Sequence, residues 1–380
     1  GTIGLGGTTG NMTILAAELE KITAGTLNIG NNSTGNIIVD GITAANSNNA
    51  TAVNLTTASA SSVNFSNNAS TFKGLTVSAG NGISQSVDLT TSSTTILDSD
   101  SNNDGSGDFN NTAGEISSGG NALSITTNDF DLSGSINTGT GTMALFISDG
   151  GSIGLGSTAG NMTVSGAELG KITAGKLTIG DSTAGAMTVD GISSANSANI
   201  PTVELNASSI TFSNGGSTFQ GLTLTANTGA ISGTATLVVT GTSTFTASGS
   251  NQSITLSNTS NSFAGSVSLN TVGSLANTTL INNSSLTLGT SIIGGDQAVT
   301  VGGTSQTLNI AGVQTVGGTI TLESSGNLTL TSLLATSSAS NSAVSLTSSA
   351  GGIFDGDSDG STDIEATNGR LVAVSNGGFG

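Results

Sequence analysis

Two acidic stretches hold the residues best suited to chemistry. The first reads Asp100-Ser101-Asn102-Asn103-Asp104-Gly105-Ser106-Gly107-Asp108, and the second Asp355-Gly356-Asp357-Ser358-Asp359-Gly360-Ser361-Thr362-Asp363. They fit DxNxDGxxD and DxDxDGxxD. Calcium takes six to eight hard oxygens, and a loop with acids at positions 1, 3 and 5, glycine at 6, a carbonyl at 7 and a further ligand at 9 supplies them. The expected ligands are therefore Asp100, Asn102, Asp104, Ser106 and Asp108, and Asp355, Asp357, Asp359, Ser361 and Asp363. In this respect the stretches resemble the calcium loops of EF-hands, dockerins and thrombospondin-type repeats. Position 12, which holds a bidentate glutamate in an EF-hand, is Asn111 or Ala366 here. That predicts weak, structural binding, on the order of 10⁻⁴–10⁻³ M.

Other chemistry is poorly served. The chain has no His and no Cys, so general-base work would fall to carboxylates and thiol chemistry is excluded. The remaining acids, Asp88, Asp129, Asp131, Glu204, Asp296 and Glu323, are scattered, and no catalytic cluster emerges. The expectation is a protein that is not an enzyme. Five basic residues against a net charge of −18 cannot neutralise phosphates, which argues against nucleic acid. No run of 18 apolar residues is present, so no membrane span is expected.

The elements that must position the loops follow from a repeat. Residues 1–50 return as residues 151–200 without a gap, with about 30 of the 50 positions identical. The match extends to Val63-Asn64-Phe65 against Ile210-Thr211-Phe212. Throughout, a small polar residue is flanked by two apolar ones, as in Leu27-Asn28-Ile29, Val53-Asn54-Leu55, Leu177-Thr178-Ile179 and Leu308-Asn309-Ile310. Period two means a strand with one buried and one wet face. Gly, Asn and Ser follow almost every unit and supply turns. Leu, Ile, Val and Phe make up roughly 24% of the chain, above the ~20% below which a core is implausible. Their strict placement argues against disorder.

A sandwich of hairpins and a parallel β-helix both fit such strands. The strands are too short and too many for a sandwich, their spacing is irregular, and the outward residues are monotonously Thr, Asn and Ser, as in stacked ladders. The predicted fold is all-β, a right-handed parallel β-helix (β-solenoid) forming an elongated rod of roughly 15–19 coils. Residues 1–150 are the first solenoid repeat, with its acidic loop near 98–108. Residues 151–380 are a second, longer repeat, with its loop near 355–363. Leu27, Ile29, Val63, Phe65, Leu177, Ile179, Ile210 and Phe212 are expected to point inward. AELEKI (17–22) and AELGKI (167–172) read as single helical turns at a corner, with Glu18 and Lys21, or Glu168 and Lys171, three apart and able to pair.

AELxKITAGxLxIG followed by VDGI resembles the repeat regions of giant bacterial surface proteins related to filamentous haemagglutinin, over residues 1–90 and 151–230. The resemblance implies a right-handed parallel β-helix, secretion, and a role in adhesion or in building an extracellular fibre. It brings no catalytic or binding residues with it. Joining the final SNGGFG to the opening GTIGLGG gives a sequence parallel to SDGGSIGLGS at 148–157, as in one period of a tandem array. The expectation is a structural segment of a secreted bacterial cell-surface protein, extracellular or at the cell surface, in a filament, sheath or adhesin stalk. Its expected partners are further copies of itself end to end and a cell-surface or matrix ligand. The rival expectation is an adhesin module that binds a glycan or protein, which predicts an exposed aromatic or charged patch on one side of the coils.

Overall fold

The computed structural model describes residues 1–357 and 359–380. The fold is all-β. Among the described residues, three helices of four residues each, Ala16–Leu19, Ala44–Ser47 and Gly166–Leu169, make up about 3% of the chain. The strands between them are mostly three to seven residues long and stack in parallel ladders as a β-solenoid of about 15 turns. No helix among the described residues is long and apolar enough to cross a membrane.

Chain contacts divide the molecule into two units, Gly1–Gly185 with Ala195–Thr202, and Ala186–Ser194 with Val203–Gly380. In the first unit, successive turns open at Ile3, Ile37, Val63, Ile83, Phe109 and Phe130, each paired in parallel with the next. Across the core a second column runs through Ile29, Leu55, Val77, Leu97, Ile125, Leu145 and Ile179, again in one register. Every member of that second column is buried. The parallel pleat puts alternate side chains on one face, so the triplets of the sequence become buried–outward–buried strands such as Val53-Asn54-Leu55. Each fully buried Leu, Ile or Phe contributes about 1.5–3 kcal/mol. Phe109 and Phe130 stack with ring centroids 5.7 Å apart. Outward asparagines also form rungs, Asn54 donating to Asn28 at 2.8 Å.

In the second unit the column Met187, Ile210, Ile231, Ile254 continues through Thr278 and Gln297 to Ile320 and Val344. Two residues further along the same strands, Phe212 lies between Val189 and Gly233. Asn67 and Asn214, at φ 63° and 53°, make the same left-handed corner in the two copies of the repeat.

The expected inward residues are placed as read, with one difference. Ile29, Val63, Phe65, Leu177, Ile179, Ile210 and Phe212 are buried, while Leu27 is only half buried. Its strand, Ala24–Gly30, pairs with Ala50–Thr56 on one side and lies at the margin of the stack on the other, among the described residues.

Candidate functional site

The two acidic loops share a sequence pattern and differ in geometry. Gly105 and Gly360, at position 6 of each, sit at φ 75° and 74°, the left-handed turn that the pattern requires. In the second loop, carboxylate oxygens of Asp355, Asp357 and Asp363 lie within 4.8 Å of one another. Asp363 is held above the usual carboxylate range by burial first, and then by the charges of Asp355, Asp357 and Asp359. The backbone winds as a chain of Asx turns: Asp357 N–H donates to Asp355 Oδ1 at 3.1 Å, and Ser361 N–H to Asp359 Oδ1 at 2.7 Å. Asp359 is occupied by Ser361, whose hydroxyl and backbone bonds hold its carboxyl below the usual range. Ser358, in the middle of this loop, lies outside the described residues.

The first loop does not bring its acids together. Asp100 is fully buried and accepts from Asp104 N–H (3.2 Å), Gly105 N–H (3.0 Å) and the Ser148 hydroxyl (2.7 Å). Asp104 accepts from Asn102 Nδ2 at 2.6 Å and from the Ser106 hydroxyl. The Ser106 bond leads the effects that lower the Asp104 pKa. Asp108 faces away, taking Asn128 Nδ2 (2.9 Å) and Asp129 N–H (3.2 Å). Here the carboxylates serve as acceptors that close the loop onto the next turns.

Asp98, which precedes this loop, is raised above the usual carboxylate range, chiefly by burial, with a smaller push from the charge of Asp100. A raised native value means that the folded state holds this proton more tightly than the unfolded chain, whose value is near 3.8. The ionised carboxylate therefore lowers stability above the native pKa, and the penalty fades as pH falls to the unfolded value. Asp98→Asn is expected to raise the melting temperature at pH 7 and to leave it unchanged near pH 3. An equal shift at both pH values would contradict this origin.

The repeated corner is built differently from the sequence expectation. Glu18 and Glu168 do not pair with Lys21 and Lys171. Each glutamate turns back to the start of its own helix, where Glu18 Oε2 accepts from Leu15 N–H at 2.9 Å and Glu168 Oε2 from Ser165 N–H at 2.7 Å. In the second copy the Ser165 hydroxyl also accepts from Glu168 N–H, completing a capping box. Lys21 instead meets Glu20 at 3.7 Å, an exposed pair of little consequence. Lys171 reaches across to the carbonyls of Leu132 (3.0 Å) and Ser133 (3.1 Å). A four-residue helix has too little length to set a side-chain rail, so caps and neighbouring carbonyls decide.

Sequence reasoning missed the corner aspartates of VDGI. Asp40 is buried and accepts from Asn67 (3.1 Å) and Asn68 (2.8 Å), and Asp190 accepts from Asn214 (3.2 Å) and Gly215 N–H (2.7 Å). Their recurrence at the same place in both copies was the available signal. The scattered acids also stitch turns. Asp88 accepts from Glu115 N–H at 2.9 Å, and Asp296 from Thr319 N–H at 2.7 Å.

A family described as repeats of unknown function (DUF5649) matches residues 199–270. That stretch includes the strands from Ser209–Phe212 to Ser262–Phe263, in which Ile210, Ile231 and Ile254 mark successive turns. Neither the curated proteins nor the solved structures give a match. The repeat match and the solenoid fold are those of a structural repeat protein, and such a fold is typical of structural rather than catalytic proteins.

Proposed function

We propose that this chain is a structural segment of a secreted bacterial cell-surface protein, built into an extracellular filament, sheath or adhesin stalk, and without catalytic activity. The observation that carries this reading is the stacked repeat itself. The same block recurs, each turn pairs in parallel with its neighbour, and the polar side chains that remain tie one turn to the next. Further copies of the chain, end to end, are the partners the reading requires, and a cell-surface or matrix ligand is the surface it would engage. Electron microscopy and fibre diffraction of the intact assembly test it. The expected result is filaments with a reflection near 4.8 Å along the fibre axis, the spacing of stacked strands. A monodisperse monomer that does not associate at high concentration would count against it. The rival binding-module reading requires an exposed aromatic or charged patch on one side of the coils; among the described residues Phe379 is the one strongly exposed aromatic side chain.

The loop at 355–363 is proposed to hold calcium. Its three convergent carboxylates offer hard oxygens to a cation that would relieve their mutual repulsion. The loop at 100–108 would need to surrender several of its internal hydrogen bonds to do the same. Calorimetric titration with millimolar calcium should give heat that disappears in the double variant Asp104→Ala with Asp357→Ala. Removal of the metal should loosen the loop without unfolding the solenoid, because stability is a sum over neighbouring turns. Identical titrations of parent and double variant would end the calcium proposal and leave the structural one standing.

A further inference from the structure

The two copies of the repeated block lie in different surroundings, and the comparison identifies a docking surface. In the second copy, strand Met162–Val164 and the helix Gly166–Leu169 sit against the turn formed by residues 129–147. Thr163 N–H donates to Asp129 Oδ1 at 2.8 Å. Leu132 N–H donates to Glu168 Oε1 at 2.9 Å, and Lys171 returns two bonds to the carbonyls of Leu132 and Ser133. The contact continues as a ladder, Ile136 opposite Ile172 and Met143 opposite Leu177. Met162 is 0% exposed there.

The first copy carries the same groups with nothing seated on them among the described residues. Met12, the counterpart of Met162, is 56% exposed, and Leu15 is 50% exposed. Ile22 and Leu27 are half buried where Ile172 and Leu177 are fully buried. The short ladder between Ile3–Gly6 and Met12–Ile14 has the register of its second-copy counterpart, with Met12 N–H bonded to the Thr2 carbonyl as Met162 N–H is to that of Ser152. Alternation along the strand therefore aims Thr13 N–H outward, as Thr163 N–H is aimed.

We infer that the face made by Met12–Ile14, the helix Ala16–Leu19 and the outer edge of Ala24–Gly30 is the seat of one more solenoid turn, of the chemistry of residues 129–147. That turn presents an aspartate to Thr13 N–H, a backbone N–H to Glu18, carbonyls to Lys21, and apolar residues to Met12 and Ile22. We assign it to polypeptide continuous with the block, because in the second copy the covering turn immediately precedes the block in the chain. The inference goes beyond the proposed function and holds equally for a filament, a sheath or a stalk.

The chain has no cysteine, so Met12→Cys and Met162→Cys each introduce a single thiol. Maleimide labelling is compared in the full chain and in the full chain extended ahead of Gly1 by a second copy of residues 101–150. In the unextended protein, Met12→Cys should label fast and Met162→Cys slowly. In the extended protein Met12→Cys should slow by about 100-fold, to the rate of Met162→Cys. Asp129→Ala placed only in the appended copy should restore part of the fast labelling. If Met12→Cys labels in the extended protein at its original rate while Met162→Cys stays protected, the inference is overturned. Protection of Met12→Cys that grows with concentration in the unextended chain would instead assign the face to a second copy, and the continuous source would be wrong.

Discussion

Replacing Phe212 with aspartate should destabilise the turns around it by about 3–5 kcal/mol. The ring is fully buried in strand Ser209–Phe212, stacked between Val189 and Gly233. Gly233 contributes to the fit, since a Cβ there would lie 3.2 Å from Cβ of Phe212 and 3.1 Å from Cδ2 of Leu256. The substitution removes the packing and leaves a carboxylate with no cation in a core of hydrocarbon. Because each turn of a solenoid rests on its neighbours, the loss should spread to the turns that open at Met187 and Ile231 before it reaches distant ones. Thermal unfolding with hydrogen exchange measures both quantities. Thr211→Asp, one residue away on the outward face, disturbs only the hydroxyl contact with Ser232 at 3.2 Å and is the control; it should change stability by no more than about 1 kcal/mol. A Phe212→Asp protein that melts with the parent would show that this rung is not in the core.

The second large effect is a contrast between two copies of one residue. Glu168→Ala removes the acceptor of both Ser165 N–H and Leu132 N–H, the latter from the preceding turn. Losing two hydrogen bonds to a charged group should cost about 2–4 kcal/mol. Glu18→Ala removes only the bond from Leu15 N–H, a helix-capping contact, and should stay within about 1 kcal/mol. Denaturant melts of the two single variants decide the matter. Equal effects would mean that the bond between turns adds nothing to the cap, and that Glu168 is a local helix residue after all.

Much of the fold was legible because the pleat enforces period two. Val53-Asn54-Leu55 and Leu308-Asn309-Ile310 could be assigned faces from sequence, and the structure buries the apolar pair in each. The rule fails where the polar residue is the inward one. Thr95 is buried while Ile96 is 41% exposed, and Ser291 is buried while Ile292 is 60% exposed. At these places the inward residue bonds to a neighbouring side chain or carbonyl, as when Thr95 and Thr91 share a hydroxyl–hydroxyl bond at 2.5 Å. Gln314 does the same inside the second unit, donating to the carbonyls of Gly289 and Gly312. Alternation states that two faces differ, but it does not say which is inside where a polar residue that can bond within the core, such as Thr95 or Gln314, competes with an apolar neighbour.

The acidic loops fail to be legible for a related reason. DxNxDGxxD and DxDxDGxxD look alike as strings. Asp100 is nevertheless drawn inward by Ser148, 48 residues away, whereas Asp355, Asp357 and Asp363 stay near the surface and converge. The corner glutamate and lysine were misjudged in the same way. Their spacing of three allowed a pair, but the glutamate caps its own helix in both copies, and in the second copy it and the lysine also bond to Leu132 and Ser133, 36 to 39 residues away in sequence.

The spacing of the turns has a consequence for how such a chain can change its length. Ile3 and Ile153 open the two copies of the block, and the turns beginning at Ile3, Ile37, Val63, Ile83, Phe109 and Phe130 fill the interval between them. A genetic crossover that aligns one copy with the other therefore adds or deletes whole turns and never a fraction of one. Every strand on either side keeps its inward face inward and its ladder partner in register. The shared spacing of the two blocks thus makes length a variable that recombination can adjust in whole turns.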